Sequence, residues 1–502
     1  MSHRNKGFVV LTWVWLISVT LMTVARVAPD GVNADILMNS VMSQQNITLY
    51  YWGQNRLLNV LPLAATWLSK PSWNLFGVLV LATLSFYGLL YVLSRCACLL
   101  VGASDQPALR LSLFVLISVV APLVFTTSAM SHMTIGHIEY SFPALLLALV
   151  SSWVLVGVPS RDVWSGGALS LWAVLAAFAL VLAVGMNPST VIAAVSIAGA
   201  SLVYKRRLAW PEVLMLIVSI GAFVGWDYIS ALYGSSAYSA FRLDTLQNGI
   251  QKVLFGLLST VHLLALVCVL VLILGGKLIG ATLQAEPTLR RPRLLLYVAL
   301  VLALFCLGWL LLFTSNQWVE GNAFAWRYFI FVLFAGILML AIYLAEYLQH
   351  LGARLQIVLA CVVAAVGLYM FFPASDRFDV RHYGVFQRAD TLTSSGWGLY
   401  AGDYWTVWPS VLRDMLDGHV AYGLAQRAHG NAVATRAFMI QRIQQNGQVT
   451  VICLKERVPV CLDQINHAAG PMRLIDVKTV TPEVIELDFV DGTTPSGQAG
   501  AN

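Results

Sequence analysis

Between residues 26 and 71, a run of acids, aromatics, amides and arginine separates two long apolar stretches. It holds Asp30, Asp35, a short helical pattern at Ile36-Leu37-Met38, and then Tyr50-Tyr51-Trp52-Gly53-Gln54-Asn55-Arg56. A connector between two membrane spans closes with a few residues, so about 45 is far more than closure requires. Long ordered loops of this kind carry function. A carboxylate at the rim of a membrane serves as general base toward an acceptor hydroxyl. The same residue types also do structural work: Asp30 in Pro29-Asp30-Gly31 suits a turn, and Asp35 suits the cap or first turn of a helix opening at Ile36. The length of the loop and the polar run behind it favour chemistry for one of the two. Tyr50, Tyr51 and Trp52 have the character of interfacial anchors, but the adjacent Gln54 and Asn55 favour a sugar- or acceptor-facing role for some of them.

A second polar connector, Ser131 to Tyr140, carries His132, His137 and Glu139. They could ligate a metal, but their spacing matches no specific zinc motif, and they suit solvated loop positions equally. Glu139 reads instead as a second acid of the same site, with His137 beside it. Arginine presents paired donors that match a phosphate, and Arg327, in Phe324-Ala325-Trp326-Arg327-Tyr328, opens a late apolar stretch among aromatics. Arg242, Arg56 and Lys70 are further phosphate candidates, with snorkelling at the interface as the alternative. Near the C-terminus, Asp403, Tyr404 and Trp405 place an acid beside aromatics suited to sugar stacking; Asp403 equally suits a helix cap.

These residues are positioned by a scaffold that composition defines. Of 502 residues 59% are hydrophobic and 11% charged, against about a quarter charged in soluble domains, so the chain is a polytopic α-helical membrane protein. Crossing the hydrocarbon takes roughly 17 to 25 apolar residues, and about eleven transmembrane helices are expected: 8–26, 75–98, 111–128, 141–158, 167–186, 190–204, 211–231, 253–276, 294–314, 328–348 and 355–373. The sixth is short. With the N-terminus inside, Arg95, Arg161, Lys205, Arg206, Arg207, Arg290, Arg291 and Arg293 fall on the cytoplasmic face, while Arg26, Arg56, Lys70, Arg242, Lys252 and Arg327 fall outside. That asymmetry obeys the positive-inside rule. The net charge of +6 therefore marks orientation rather than a nucleic-acid partner.

The pattern changes at Pro373. Residues 1–373 read as the membrane module, and 374–502 as a periplasmic α/β domain with a flexible tail from Thr493. Strands are expected at Val449–Leu454 and Ile485–Phe489, and helices at Tyr404–Leu416 and Ala432–Gln445. Cys96, Cys98, Cys268, Cys306 and Cys361 lie in or beside apolar runs. Cys453 and Cys461 flank a segment that reads as a loop leaving a strand, within range of a disulfide in an oxidising compartment. No phosphate-binding Gly-Lys loop is present.

This pattern resembles the GT-C superfamily of membrane glycosyltransferases, in its bacterial, polyprenyl-phosphate-sugar-dependent form. The resemblance lies in the acid soon after the first span, the helix and Tyr50-Tyr51-Trp52-Gly53-Gln54 loop, the acid of the second outer loop, and the arginine before a late span. It implies a multi-pass protein of the bacterial inner membrane that moves a sugar, by an inverting transfer, from a polyprenyl-phosphate donor to a glycan, lipid or protein acceptor. By position it implies Asp30 as the base, with Asp35 in reserve, and it implies no metal and no other cofactor; Gly31 stands where many members carry a second acid. The competing class is a lipid or glycan transporter, against which Asp227, His262 and Glu346 are few ionisable groups within the spans. A structural or assembly protein would not need the cluster of polar residues on the outer face.

Overall fold

The computed structural model describes residues 3–49, 52, 59–124, 130–136, 138–157, 166–232, 242–259, 290–371, 378–393, 398–425, 429–470 and 472–492. Helices α1 (His3–Gly31), α2 (Ala34–Gln45), α3 (Val60–Ala65) and α4 (Pro71–Leu100) open the chain. Next come α5 (Pro107–Val124), a π-helical turn (His132–Gly136), α6 (Ile138–Gly157), α7 (Gly166–Met186), α8 (Val191–Lys205), α9 (Trp210–Leu232) and the amphipathic α10 (Leu243–Ser259). The apolar part ends with α11 (Arg290–Thr314), α12 (Gln317–Gly321), α13 (Ile330–Leu348) and α14 (Ala353–Phe371). The C-terminal part alternates: α15 (Gln387–Thr393), β1 (Leu399–Gly402), α16 (Tyr404–Leu416), β2 (Tyr422–Ala425), α17 (His429–Asn446), β3 (Val449–Leu454), α18 (Val458–Ala469), β4 (Met472–Thr479) and β5 (Val484–Asp491).

Two compact units result. One comprises Met1–Thr23 and Ala82–Phe372; the other comprises Val24–Leu81 and Pro373–Asn502. The polar connector after the first span thus shares a unit with the C-terminal α/β region, and the boundary falls inside α1 and α4.

Among the described residues, seven helices are long and apolar enough to cross a membrane: Lys6–Gly31, Pro71–Leu100, Pro188–Lys205, Trp210–Ile229, Leu294–Thr314, Arg327–Leu348 and Ala353–Met370. The short sixth span is among them. Pro107–Pro122, Ile138–Ser152 and Leu171–Met186 are apolar but shorter, and they fall on the third, fourth and fifth expected spans. The eighth, 253–276, begins on α10 and otherwise lies outside the described residues. Its first residues belong to an amphipathic helix, because Asp244, Gln247, Asn248, Gln251 and Lys252 precede them on the same helix.

In the first unit, some polar side chains inside apolar helices find partners there, as a hydrocarbon surround favours. Ser112 of α5 donates to Gln356 O of α14 at 2.7 Å, and Gln356 Nε2 donates to Leu348 O at 2.9 Å. Trp309 is fully buried, donates Nε1 to Tyr328 O at 2.8 Å, and stacks on Phe313 and Phe331 at 4.9 and 4.4 Å.

The second unit contains a five-stranded sheet in the order β2-β1-β3-β5-β4. β2, β1 and β3 are parallel; β5 runs antiparallel to both β3 and β4. Parallel neighbours need crossovers, which α16 and α17 supply. Period-two alternation sorts the faces. Leu399, Ala401, Val449, Val451, Cys453, Ile485, Leu487 and Phe489 pack with Met439, Cys461 and Ile465 of α17 and α18. On the other face a Cβ at Gly423 would lie 2.6 Å from Val407 and 3.2 Å from Trp408 of α16. Cys453 and Cys461 form a disulfide with Cα atoms 6.5 Å apart. The segment between them differs from the expected loop: after a 3-10 turn (Lys455–Arg457), α18 begins at Val458, with Pro459 in its first turn. There the missing N–H and fixed φ of proline favour the helix.

Candidate functional site

Two sets of residues emerge, one in each unit. In the second unit the first set begins where α1 ends. α1 continues beyond the expected end at residue 26 and includes Pro29-Asp30-Gly31, so that segment is the last helical turn rather than a loop turn. Asp30 is exposed there. Asn33 caps α2, its Oδ1 accepting from Ile36 N at 3.3 Å. Asp35 is therefore not the cap. It lies half-buried in the first turn of α2, where the helix dipole favours a negative charge. Its Oδ1 accepts a hydrogen bond from Tyr404 OH at 2.7 Å.

The chain holds α2 firmly. Asn74, wholly buried at the start of α4, accepts from Ser40 and Ser43 of α2 at 2.8 and 2.9 Å. Its Nδ2 donates to Ala65 O and Leu68 O at 2.9 and 3.1 Å. One amide thus ties α2 and α3 to α4. At the far end of α2, Gln45 Nε2 donates to Ala421 O at 2.6 Å.

Tyr404 is placed by β1 and the turn after it. Gly402 adopts φ +132°, open only to glycine at low cost, where a Cβ would also press on Cys461 Sγ at 3.1 Å. Asp403 then caps α16, with Oδ2 accepting from Trp405 N at 3.1 Å and Thr406 Oγ1 at 3.3 Å. The capping alternative thus describes Asp403. Trp405 is 46% exposed. Trp52 departs from its expected sugar-facing role: it is 1% exposed and its ring centroid lies 5.5 Å from that of Trp408. Apolar burial won over exposure because the buried face of α16 presents another large ring. Lys70 is exposed just before α4, and its carbonyl accepts from Asn74 N at 2.8 Å. Tyr50, Tyr51, Gln54, Asn55, Arg56 and His137 lie outside the described residues.

In the first unit, Arg327 follows a tight turn. Ala323 and Phe324 both take φ +53°, a left-handed conformation that is strained for any residue with a side chain. Such strain gathers at functional sites. Arg327 Nη2 donates to Asn322 Oδ1 at 2.8 Å and Tyr328 OH at 3.1 Å, and the guanidinium lies 5.1 Å from the centroid of the Tyr328 ring. Phe324 and Tyr328 belong to one cluster with Val253, Val319 and Phe329. Lys252 stands 5.7 Å from the Phe324 centroid, so two cations border the same aromatic cluster. Sequence reasoning placed Lys252 on the outer face but did not assign it to the phosphate. The signal was its conflict with the positive-inside rule, the same signal that singled out Arg327.

Gly249 explains how Lys252 reaches that position. A Cβ there would fall 2.5 Å from Thr314 O and 2.8 Å from Phe324, so only glycine lets α10 lie so close to the end of α11. Arg242, at the start of α10, is exposed, and its backbone N–H donates to Ser315 O at 2.8 Å. Glu139 is half-buried in the first turn of α6, and its carbonyl accepts from Asn187 Nδ2 at 3.1 Å. The π-helical turn before it (His132–Gly136) is a form frequent at functional sites.

The apolar helices, the connector helices α2 and α3, and the terminal α/β region make up a fold that is found among solved structures. Two solved structures of ArnT from Cupriavidus metallidurans share it. The structure bound to undecaprenyl phosphate matches with a TM-score of 0.50 at 12% identity, over 96% of this chain and 97% of that one. The apo structure matches with a TM-score of 0.54 at 12% identity, over 96% and 98%. At such identity the likeness is one of fold. No protein-family model matches the sequence, and no curated protein matches it.

Proposed function

We propose that this protein is an inverting glycosyltransferase that moves a sugar from a polyprenyl-phosphate donor to a hydroxyl of a cell-envelope glycan, lipid or protein on the periplasmic side of the inner membrane. The observation that carries this reading is the Asp35 carboxylate, held half-buried at the start of α2 by Tyr404, in a fold shared with an undecaprenyl-phosphate-bound ArnT. Asp35 is preferred to Asp30 as the base because its helix is clamped and its carboxylate oriented, whereas Asp30 projects exposed from a helix end.

In the transfer, Asp35 accepts the proton of the acceptor hydroxyl as that oxygen bonds to the anomeric carbon. The bond from that carbon to the phosphate oxygen breaks, and the polyprenyl phosphate leaves with the electron pair. Negative charge develops on the departing phosphate, and fixed cationic donors stabilise it. Within the first unit, Arg327 and Lys252 border one aromatic cluster and are the cationic candidates for the phosphate; within the second, Trp405 offers an exposed ring to the acceptor.

The test is transfer from a purified undecaprenyl-phosphate sugar by the solubilised full-length protein. Asp35→Asn retains shape but cannot take the proton, and turnover should fall by about 10² to 10⁴. Asp30→Asn should stay within a few-fold of the parent. Arg327→Lys should raise the donor KM more than the acceptor KM, since charge remains but the paired donors are lost. Near-parental turnover in folded Asp35→Asn removes the assignment of the base; transfer absent from the parent protein with every donor tested removes the reading itself.

A further inference from the structure

The first unit contains a cavity of about 520 Å³ that the proposed chemistry does not use. Its walls are apolar, drawn from Leu93, Ala148, Ile197 and Val298, and it is lined along α8 from Ala193 to Lys205. Twelve residue steps at 1.5 Å give it a length of about 18 Å, roughly that of a fourteen- to sixteen-carbon chain. Its volume lies within the range of about 300–1,000 Å³ typical of ligand sites.

The two ends differ. At one end Phe305 and Phe331 line the cavity. Beyond them Trp309, fully buried, stacks on Phe331 at 4.4 Å and on Phe313 at 4.9 Å. Neither Tyr328 nor Arg327 is among the described residues that line the cavity. At the other end Lys205, Glu212 and Tyr297 line it. Glu212 is 1% exposed, and its Oε1 accepts from Lys205 Nζ at 2.6 Å and Ser201 Oγ at 2.7 Å. The pair is neutral, but Arg206 and Arg207 follow directly and are both exposed. Trp210, 68% exposed, opens the next helix, in the manner of a tryptophan at headgroup level.

We infer that this cavity holds one acyl chain of an anionic phospholipid, with the headgroup phosphate at Arg206 and Arg207. The apolar wall and its length fit a hydrocarbon chain, the neutral Lys205–Glu212 pair closes the polar end without repelling an anion, and two exposed positive charges beside it select a negative headgroup. Basic residues near a membrane surface attract anionic lipids in this way.

The experiment is native mass spectrometry of the full-length protein incubated separately with palmitoyl-oleoyl phosphatidylglycerol and palmitoyl-oleoyl phosphatidylcholine. The parent should retain one phosphatidylglycerol at least fivefold more than phosphatidylcholine. Ala148→Phe and Ala193→Phe fill the cavity from different helices, so at least one should fold, as checked by an unchanged elution profile, and lose that retention fivefold or more. Arg206→Gln with Arg207→Gln should abolish the preference between the two lipids. Equal retention of both by the parent, unchanged retention in a folded cavity-filling variant, or displacement of phosphatidylglycerol by stoichiometric undecaprenyl phosphate each overturns the inference.

Discussion

At Asp35 a short hydrogen bond from Tyr404 joins residues 369 positions apart in the chain. A hydrogen bond to a charged group contributes about 1.5–3 kcal/mol, and here it holds one oxygen of the carboxylate proposed as the base. Tyr404→Phe should therefore lower kcat about tenfold while the elution profile and thermal midpoint remain close to the parent's. An unchanged kcat would show that the base needs no such partner. A second buried acid has a different role. Asp414 is buried, accepts from Tyr400 OH at 2.7 Å and Gly398 N at 3.2 Å, and burial pushes its carboxyl above the usual range despite those bonds. The folded state thus holds the Asp414 proton more tightly than the unfolded chain. That contribution to stability is fully present below the unfolded pKa of about 3.9 and is lost as pH rises through the raised value. The thermal midpoint should fall as pH rises from about 4 in the parent, and Asp414→Asn should flatten that slope.

At the scale of elements, what counts is how closely helices and strands approach. Gly423 in β2 faces α16, where a Cβ would meet Val407 at 2.6 Å and Val411 at 3.0 Å. Overpacking of this kind costs about 1–3 kcal/mol. Gly423→Ala should push α16 from the sheet, speed hydrogen exchange across Tyr404–Leu416, and lower transfer through Tyr404. Protected exchange in that helix, with activity intact, would show that the gap accommodates a methyl group. The strands β1, β2 and β4 were not foreseen from the sequence. β1 and β2 have only four residues each, too few for alternation to show, and β4 is an edge strand exposed along nearly its whole length. Helices α16 and α17, by contrast, were legible from their periodicity and from the Asn446-Gly447 stop.

For the whole molecule, the distribution of Lys and Arg along the chain sets a directional expectation. With Lys205, Arg206 and Arg207 on one side and Arg242, Lys252 and Arg327 on the other, a periplasm-dependent reporter fused after Asp491 should be active. A cytoplasm-dependent reporter should be silent at the same point. The reverse result would invert the orientation and contradict a periplasmic transfer. The disulfide between Cys453 and Cys461 is consistent with an oxidising compartment for this region.

Composition and hydropathy alone determined that the chain is a helical membrane protein with a C-terminal α/β region. Both rest on local sums over windows of about 20 residues, which need no knowledge of packing. The same holds for the Cys453–Cys461 bridge, whose partners are eight residues apart. What the tertiary structure alone decided is which acid is oriented and which aromatics are buried. Asp30 and Asp35 look alike in sequence, and only the arrival of Tyr404 from a distant helix distinguishes them. Trp52 and Trp405 are the same residue type in similar polar settings, yet one is buried against Trp408 and the other is 46% exposed. Lys252 comes beside Phe324 only because Gly249 permits a close approach of two helices. These facts depend on contacts between residues remote in sequence, and no pattern within a window encodes them.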